Sequence, residues 1–499
     1  MRKCNSGNIM KEKIYNFLNF FRRDKSYFSK ISADTYHIKI KQNNYQKLNE
    51  IIENVKKKGV KKIIFEMADN SKGIVSFDNL AEPIHSTYEK WSEFFQIVYK
   101  NFPLCILKNL SPFAYCEKKE HWFIPDTCNS CRARSVCCGI SNIYAERFGL
   151  SELKCIQDIP SEVVIEVEPK CNFNCQFCFN KLSFAHEGRN QVKSLPKDSV
   201  KKIVKATADA KIRNIRFTGG EPLLHPDILE ILEFAKSLNF SQVRLNTNAS
   251  LIDRKMAEKL VRCIDNFLIP LESSNDEKER EICGRKNVFE EKLAAIRHLK
   301  KAGAGMVRVG TVATKSAIEE FEQIEKLVSD LGADRWELFR PIPFTQEGDI
   351  IDRSDVEILV KKLSNARKKE KNRNYLIANA LPFCAIRDLN LMNSVSLGSF
   401  YDDGHSRFIV DPRGFSKPHY FIDENIGNPL DPLSCWQNTF MKKMRTLQFL
   451  PSSCRNCHFQ FKCRGGSRKT AMLINGSYDA IDPLAKENSQ NISDHFAIQ

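Results

Sequence analysis

The chain has 499 residues with 42% apolar side chains, and its 77 basic and 61 acidic residues give a formal charge of +16. This length allows two to four domains with sizeable cores. No run of 18 apolar residues occurs, which excludes a membrane-spanning helix, and the charged start lacks the apolar segment of a cleavable signal. The basic residues are spread along helix-like segments, so we do not expect a nucleic-acid partner.

Cysteine is the unusual component, with 18 residues. Most cysteines stand in short-range pairs and triplets, which in a chain without an export signal indicates metal or iron–sulfur ligation rather than disulfides. We therefore expect a cytoplasmic protein.

Residues 1–158 form the first segment. It opens with a strand–helix–strand pattern, "TYHIKIK", "YQKLNEIIENVKKKG" and "KKIIFEM", and closes with a cysteine-rich patch at 115–140. We expect an α/β extension that carries a metal-binding patch.

Residues 159–350 alternate between short apolar strands and amphipathic helices. The predicted strands are 163–169, 214–220, 242–248, 266–272, 305–314 and 335–343. Six β/α units predict a parallel sheet with helices outside, curled into a full or partial TIM-type barrel with its active site at the carboxyl ends of the strands. We expect a linking helix at 351–379 and a small loop-rich domain with a hairpin at 380–499.

The first strand of this region runs into "EPKCNFNCQFCFN", which places Cys171, Cys175 and Cys178 just past its end. Three thiolates can hold three irons of a [4Fe–4S] cube and leave the fourth iron open to a small molecule. The alternative is a zinc site that lacks one ligand.

The second strand ends in "TGGEP", which contains Gly219, Gly220, Glu221 and Pro222. Paired glycines let the backbone approach a ligand closely. Glu221 and the exposed carbonyls are candidates to bind an ammonium group, and the alternative is a tight strand-to-helix turn.

The pair of motifs resembles the radical S-adenosylmethionine (radical SAM) superfamily over about residues 160–345. The resemblance implies a partial (β/α)6 barrel, and a [4Fe–4S] cluster on Cys171, Cys175 and Cys178 whose open iron binds S-adenosylmethionine. It also implies reductive cleavage to a 5′-deoxyadenosyl radical that takes hydrogen from a substrate. Phe177 matches the position near adenine, and the segment 219–222 matches the one that binds the methionine amine.

Later strands add candidates by the same resemblance. Thr247 and Asn248 match a "TNG" strand end in which Ala249 replaces glycine. Glu272 is a candidate for the ribose hydroxyls, and Arg308 for the methionine carboxylate. The alternative for each is a polar residue at a strand end that bonds to the backbone.

The C-terminal segment resembles a SPASM domain, an extension that carries auxiliary clusters in radical SAM maturases. The triplet Cys454, Cys457 and Cys463 agrees with that family, whereas His419 and Ser467 stand where it has cysteines. One auxiliary cluster is therefore expected there. Its fourth-ligand candidates are Cys435, which is preferred, and also Cys384, His419 and Asp482. The alternative is an open iron that binds the substrate.

The same spacing, C-x2-C-x5-C followed by x-Gly, recurs in the N-terminal patch at Cys128, Cys131 and Cys137. Cys116 is the preferred fourth ligand and Cys105 the second choice. A [4Fe–4S] cluster is expected there, with zinc as the alternative because four thiolates suit both.

These features predict a radical SAM enzyme that acts on a peptide or protein and receives electrons from a partner such as ferredoxin or flavodoxin. One alternative is a radical SAM enzyme for a small metabolite or cofactor precursor. Another is a cluster- or zinc-stabilised binding protein with an inactive barrel, while RNA modification is suggested by charge alone.

Overall fold

The computed structural model describes residues 35–56, 60, 62–68, 73–91, 95–107, 114–115, 120–128, 131, 137–154, 159–178, 191–341, 350–369, 374–399, 402–455, 457 and 459–486. The chain divides into two compact units, residues 1–158 and 159–499. None of the helices within the described ranges is long and apolar enough to cross a membrane.

The first unit is built on four parallel strands in sequence order, with a separate antiparallel pair, β5 and β6. The predicted strand–helix–strand is confirmed as β1, α1 and β2, and β3 extends the sheet. Its elements are β1 Thr35–Ile40, α1 Leu48–Lys56, β2 Lys62–Met67, α2 Phe77–Trp91, β3 Gln96–Lys100, α3 Leu104–Leu107, β4 Ala114–Tyr115, β5 Trp122–Phe123, β6 Ile140–Ser141 and α4 Asn142–Phe148.

The second unit contains a nine-stranded sheet, in which seven parallel strands starting at one edge neighbour one another in sequence order. The six predicted strands are confirmed, and a seventh parallel strand, β13, follows them. The strands are β7 Glu162–Glu168, β8 Asn214–Gly219, β9 Gln242–Asn246, β10 Asn266–Pro270, β11 Met306–Val312, β12 Arg335–Phe339, β13 Asn374–Ile377, β14 Arg407–Val410 and β15 Ser416–Lys417.

Helices connect these strands and continue into the C-terminal segment. Helical crossovers between parallel strands place helices against the face of the sheet. The helices are α5 Lys197–Asp209, α6 Ile228–Lys236, α7 Arg254–Cys263, α8 Asp276–Cys283, α9 Val288–Lys301, α10 Lys315–Glu319, α11 Phe321–Asp330, α12 Arg353–Lys369, α13 Leu389–Val395, α14 Pro432–Gln437, α15 Thr439–Arg445, α16 Gln460–Cys463 and α17 Arg468–Asn475.

Side chains alternate along β7 between the helical layer and the barrel interior, as strand geometry requires. Val163, Ile165 and Val167 belong to the main core shared with the helices. Val164 instead packs on the other face, against Ile409 of β14. The main core therefore lies between the sheet and its helices.

Ion pairs fill the interior near the amino ends of the strands. Glu162, at the start of β7, binds Arg216 (3.1 Å), Arg244 (2.8 Å) and Arg407 (3.2 Å). Burial acts to raise the pKa of Glu162, but the three guanidinium groups lower it to about 2. Because this end is closed by paired charges, the opposite, carboxyl end is the one left for a ligand.

The C-terminal segment joins the same sheet. Strand β14 pairs in parallel with β7, and β15 turns back antiparallel to β14. Farther along the chain, Arg340 at the end of β12 forms two hydrogen bonds, of 2.7 and 3.0 Å, with the buried carboxylate of Asp482. The segment beyond residue 380 is thus fastened at both sides of the barrel.

Candidate active site

The loop after β7 carries Cys171, Cys175 and Cys178, and all three side chains are half-buried. The Sγ atom of Cys171 accepts a hydrogen bond from the backbone N–H of Phe173 (3.4 Å) and lies 3.6 Å from Nδ2 of Asn248. Hydrogen bonds to sulfur of this kind stabilise thiolates that bind metal.

Two glycines press the second strand end against this loop. Gly220 donates its N–H to the carbonyl of Glu168 (2.6 Å), and Glu221 donates its own to the carbonyl of Lys170 (2.8 Å). A Cβ atom on Gly219 would lie 2.2 Å from the oxygen of Glu168, and one on Gly220 would lie 2.2 Å from the oxygen of Lys170. The glycines therefore permit a backbone contact that directly precedes Cys171.

The carboxylate of Glu221 is fully buried and accepts three hydrogen bonds. They come from Leu223 N (3.0 Å), Thr247 Oγ1 (2.7 Å) and Asn248 N (2.7 Å). Burial nevertheless raises the pKa of Glu221 to about 7. This carboxylate holds the β9 strand end beside the cysteine loop, so any contact of this segment with an amine falls to its backbone.

The β9 strand end completes this side of the site. Asn248 donates to Asn172 of the cysteine loop (2.8 Å), and Ala249 has a φ of +66°. This left-handed conformation favours glycine, which explains why a glycine is typical where this chain has Ala249. Phe177 is half-buried in the turn that ends at Cys178.

A buried group that sequence reasoning missed lies on the other side of Cys175. The backbone N–H groups of Asn174 and Gln176 donate to the carbonyls of Cys283 (3.0 Å) and Ile282 (2.9 Å). The ammonium of Lys292 lies 3.3 Å from the Sγ atom of Cys283. A hydrogen bond with Cys175 and this ammonium lower the pKa of Cys283, against the effect of burial.

The same lysine links the cysteine loop to the end of β10. Lys292 forms a fully buried ion pair with Oε1 of Glu279 (2.5 Å), whose Oε2 accepts from the N–H groups of Glu272 (2.9 Å) and Ser273 (2.8 Å). No sequence pattern marked these residues, because a Lys and a Glu on neighbouring helices are typical of exposed surfaces.

Glu272 lies at this strand end with one oxygen accepting from Val312 N (2.7 Å). Burial and the neighbouring carboxylate of Glu279 raise the pKa of Glu272 to about 8. Strand ends β7 to β11 thus place thiols, amide groups and a carboxyl group along one edge.

Residues 165–328 match the family model described as the Radical SAM superfamily. The chain contains a radical SAM domain. It is accordingly an S-adenosylmethionine-dependent iron–sulfur enzyme, and its core is an α/β parallel-strand barrel, as the motifs at Cys171 and Gly219 predicted.

Solved structures share the fold of this radical SAM core at low identity. The crystal structure of Streptococcus suis SuiB matches with a TM-score of 0.53 and 18% identity, over 66% of this chain and 78% of that chain. SuiB bound to the precursor peptide SuiA matches with a TM-score of 0.52 and 17% identity, over 65% of this chain and 75% of that chain. Native anSMEcpe with bound AdoMet and the Kp18Cys peptide matches with a TM-score of 0.51 and 17% identity, over 67% of this chain and 96% of that chain.

The donor set of the radical SAM loop fits a [4Fe–4S] cluster with one open iron, because it offers three thiols and no fourth ligand in the motif. Among the described residues, no three Cys, His, Asp or Glu side chains are already drawn together as around a bound ion. The ligand sets are therefore defined by spacing and by the contacts around each thiol.

Arg308 departs from the predicted site. Its guanidinium is buried near the amino end of β11, where it binds Glu337 (2.7 Å) and Asn266 (2.6 Å). These partners direct the side chain into the ion-paired end of the barrel, whereas the sequence predicted a contact of Arg308 with the methionine carboxylate.

Two of the fourth-ligand candidates for the C-terminal triplet, Cys435 and Cys384, have different surroundings in the structure. Cys435 lies on α14, where its thiol donates to the carbonyl of Asn428 (3.1 Å). Burial and the charges of Cys454 and Cys384 raise the pKa of Cys457 to about 11, although a backbone hydrogen bond acts to lower it.

Cys384 neighbours the other two members of the triplet as well. It contributes to raising the pKa of both Cys454 and Cys463, after the effect of burial. The backbone N–H of Phe383, next to it in the chain, donates to Sγ of Cys463 (3.3 Å).

The remaining candidates near this triplet have other partners. His419 pairs with Asp402 (3.4 Å), and Asp482 binds Arg340. Ser467 caps α17, since its Oγ accepts from Thr470 N (3.0 Å).

In the N-terminal patch, Cys116 lies outside the described residues. Burial and the charges of Cys137, Cys128 and Cys131 raise the pKa of Cys105 to about 11, although a backbone hydrogen bond acts to lower it. Cys105, the second choice from sequence, follows Leu104, whose backbone N–H lies 3.5 Å from the Sγ atom of Cys137.

Glu272 predicts a pH effect on stability. A carboxyl group with a pKa of about 8 in the folded protein and about 4.3 in the unfolded chain stabilises the fold fully below pH 4.3. This stabilisation is lost as the pH rises through 8, at up to about 1.4 kcal/mol per pH unit. We expect Glu272→Gln to flatten the fall of the unfolding midpoint between pH 6 and pH 8, measured by circular dichroism.

The matched control for this prediction is Glu258→Gln, because Glu258 lies exposed on α7 beside Arg254. This variant should keep the wild-type pH profile. Identical profiles for Glu272→Gln and wild type would show that Glu272 is ionised across this range.

Proposed function

We propose that this protein is a peptide- or protein-modifying radical SAM enzyme. When bound, the [4Fe–4S] cluster supplies the electron for reductive cleavage of S-adenosylmethionine, and the resulting 5′-deoxyadenosyl radical takes a hydrogen atom from the substrate. Cys171, Cys175 and Cys178 would hold the cluster. The observation that carries this proposal is the fastening of their loop to the "GGEP" turn through backbone hydrogen bonds.

The residues around the loop would position S-adenosylmethionine. The backbone of 219–222 would bind the methionine amine. Thr247 and Asn248 would contact the cofactor beside it, and Glu272 would bind the ribose hydroxyls. Phe177 would lie near the adenine. Because the amino end of the barrel is closed by ion pairs, a substrate must enter and exclude water at the carboxyl end.

A peptide substrate is supported by the solved structures of similar fold. Two of them hold a bound peptide: SuiA in SuiB and Kp18Cys in anSMEcpe. The charge of +16 suits an acidic leader segment. A reducing partner such as ferredoxin or flavodoxin belongs to this proposal, because the cluster must be reduced before each cleavage.

Auxiliary metal binding is also part of the proposal. The triplets at 128–137 and 454–463 each supply three thiolates for an iron–sulfur cluster, as in SPASM-type maturases, with zinc as the alternative at the N-terminal triplet.

The experiment compares peptide and small-molecule substrates. Reconstituted protein is incubated with S-adenosylmethionine, dithionite and any short peptide encoded beside its gene. We expect peptide-stimulated formation of 5′-deoxyadenosine and a change in peptide mass, measured by liquid chromatography and mass spectrometry. Cofactor cleavage without any peptide modification, together with modification of a small metabolite, would overturn the peptide assignment.

A further inference from the structure

The N-terminal patch and the C-terminal triplet share more than cysteine spacing. Residues 123–139 read "FIPDTCNSCRARSVCCG" and residues 449–465 read "FLPSSCRNCHFQFKCRG". The two segments share phenylalanine, proline, three cysteines and glycine at identical offsets, and isoleucine/leucine and threonine/serine pairs stand at two more. In both segments, the shared glycine stands two residues after the third aligned cysteine, Cys137 or Cys463, and a serine, Ser141 or Ser467, stands four residues after it.

Parts of the backbone of the two segments also match. Each has a 3-10 turn, Asp126–Cys128 or Ser452–Cys454, before its C-x2-C pair. Cys128 N donates to Pro125 O (2.9 Å), as Cys454 N does to Pro451 O (2.9 Å).

The next turn repeats as well. Cys131 N donates to Cys128 O (3.0 Å), and Cys457 N donates to Cys454 O (3.1 Å). The glycines that follow the third cysteines, Gly139 and Gly465, have φ values of +73° and +74°.

A capped helix follows each triplet. Ser141 begins α4 and accepts from Tyr144 N (3.1 Å), and Ser467 begins α17 and accepts from Thr470 N (3.0 Å). Both helices end at a glycine with positive φ, Gly149 or Gly476. Ser467 therefore has a structural role that its counterpart shares, and it is not a degenerate ligand position.

The fourth thiol of each site comes from a matching place earlier in the chain. A parallel strand, β3 or β13, is followed by proline, an apolar residue and cysteine: "PLC" at 103–105 and "PFC" at 382–384. Leu104 N lies 3.5 Å from Sγ of Cys137, and Phe383 N lies 3.3 Å from Sγ of Cys463. In both copies, the residue before the distant cysteine thus donates to the third cysteine of the triplet.

We propose that residues 96–149 and 374–476 are two copies of one cluster-binding module, and that each copy holds a [4Fe–4S] cluster on four thiolates. The ligands are Cys105, Cys128, Cys131 and Cys137 in one copy, and Cys384, Cys454, Cys457 and Cys463 in the other. This inference rests on the auxiliary metal binding proposed above, and adds the ligand sets and the common module.

The donor chemistry fits a closed site. Four thiols that each lose a proton satisfy all four irons of a cube, so neither cluster has an open iron for S-adenosylmethionine. Backbone N–H groups aimed at the third sulfur stabilise its charge. Four thiolates also suit zinc. Measuring iron, sulfide and zinc in the same protein distinguishes a cluster from a zinc ion.

The test measures iron, sulfide and zinc in anaerobically reconstituted protein. Three cubes give about twelve irons per chain, and a variant with alanine at positions 171, 175 and 178 should keep about eight. In that background, Cys105→Ala or Cys384→Ala should each remove about four more irons, and together should remove nearly all, with matching loss of absorbance near 400 nm.

The matched controls are Cys116→Ala and Cys435→Ala, which remove the other two candidate ligands. Both variants should keep the full iron content. Cys105→Ser and Cys384→Ser repeat the measurement with near-isosteric side chains, and far-UV circular dichroism confirms that each variant is folded. Iron loss in the controls but not at positions 105 and 384 would overturn the ligand sets. Zinc in either site would overturn the assignment of a cluster to it.

Two further variants test auxiliary metal binding separately from the two-copy module. Alanine at Cys128 and Cys454 should each remove about four irons whichever cysteine is the fourth ligand. If these variants keep all their iron, auxiliary binding itself is wrong. If they lose it while the variants at 105 and 384 do not, only the module with its distant cysteine is wrong.

Discussion

Replacing Cys171, Cys175 and Cys178 together with alanine should abolish reductive cleavage of S-adenosylmethionine. We expect 5′-deoxyadenosine formation with dithionite to fall at least about a thousandfold, because the cofactor and not the protein supplies the difficult step. Iron content should fall by about four per chain. Both are measured on anaerobically reconstituted protein, by liquid chromatography and by a colorimetric iron assay.

The control is Cys263→Ala, since Cys263 is buried at the end of α7 in the helical layer. That variant should retain its iron and its cleavage activity. Persistent cleavage in the triple variant, with the protein folded, would show that the radical SAM cluster is held elsewhere.

Gly220→Ala should destabilise the second unit by about 3 kcal/mol, a large value for one added methyl group. The new Cβ would lie 2.2 Å from the oxygen of Lys170 and 2.5 Å from that of Pro169, both backbone atoms of the cysteine loop. The loop must move away from the turn, so cofactor cleavage should fall as well. We expect an unfolding midpoint lower by about 5 °C or more, measured by differential scanning calorimetry.

Gly303→Ala is the matched control, because Gly303 has a φ of +85° but no atom within 4 Å of the added Cβ. It should cost about 1 kcal/mol through backbone strain alone and leave cofactor cleavage intact. Equal effects of the two substitutions would mean that the contact between turn and loop has no special importance.

Sequence patterns determined most of the core. The six strands of the barrel were predictable because their apolar runs are short and regularly separated by amphipathic helices. The cysteine loop and the "GGEP" turn were predictable as neighbours, because parallel strands bring their carboxyl ends to one edge. The repeat of "FIPDTC" as "FLPSSC" was also readable, but it extends upstream of the cysteines that first draw attention.

Other assignments needed side-chain partners. Arg308 resembles a cofactor-binding residue by its place in the strand order, yet its pairing with Glu337 and Asn266 directs it to the closed end of the barrel. Lys292, typical in sequence of an exposed helix, is buried because Glu279 and Cys283 surround its ammonium group. The alternation of apolar and polar residues predicts which face of a strand a side chain lies on. It does not predict which partner neutralises a charge on that face.

The sequence by itself determined the chemistry of this protein: a three-thiolate radical SAM motif and two further cysteine triplets in a parallel α/β chain. Only the tertiary structure brought Cys384 near the C-terminal triplet and Cys105 near the N-terminal triplet, through the contacts of Phe383 with Cys463 and of Leu104 with Cys137. The physical reason is that strand packing brings together residues that are far apart in the chain. Local spacing fixes a triplet within one turn of backbone, whereas the end of a distant strand reaches it only in the folded protein.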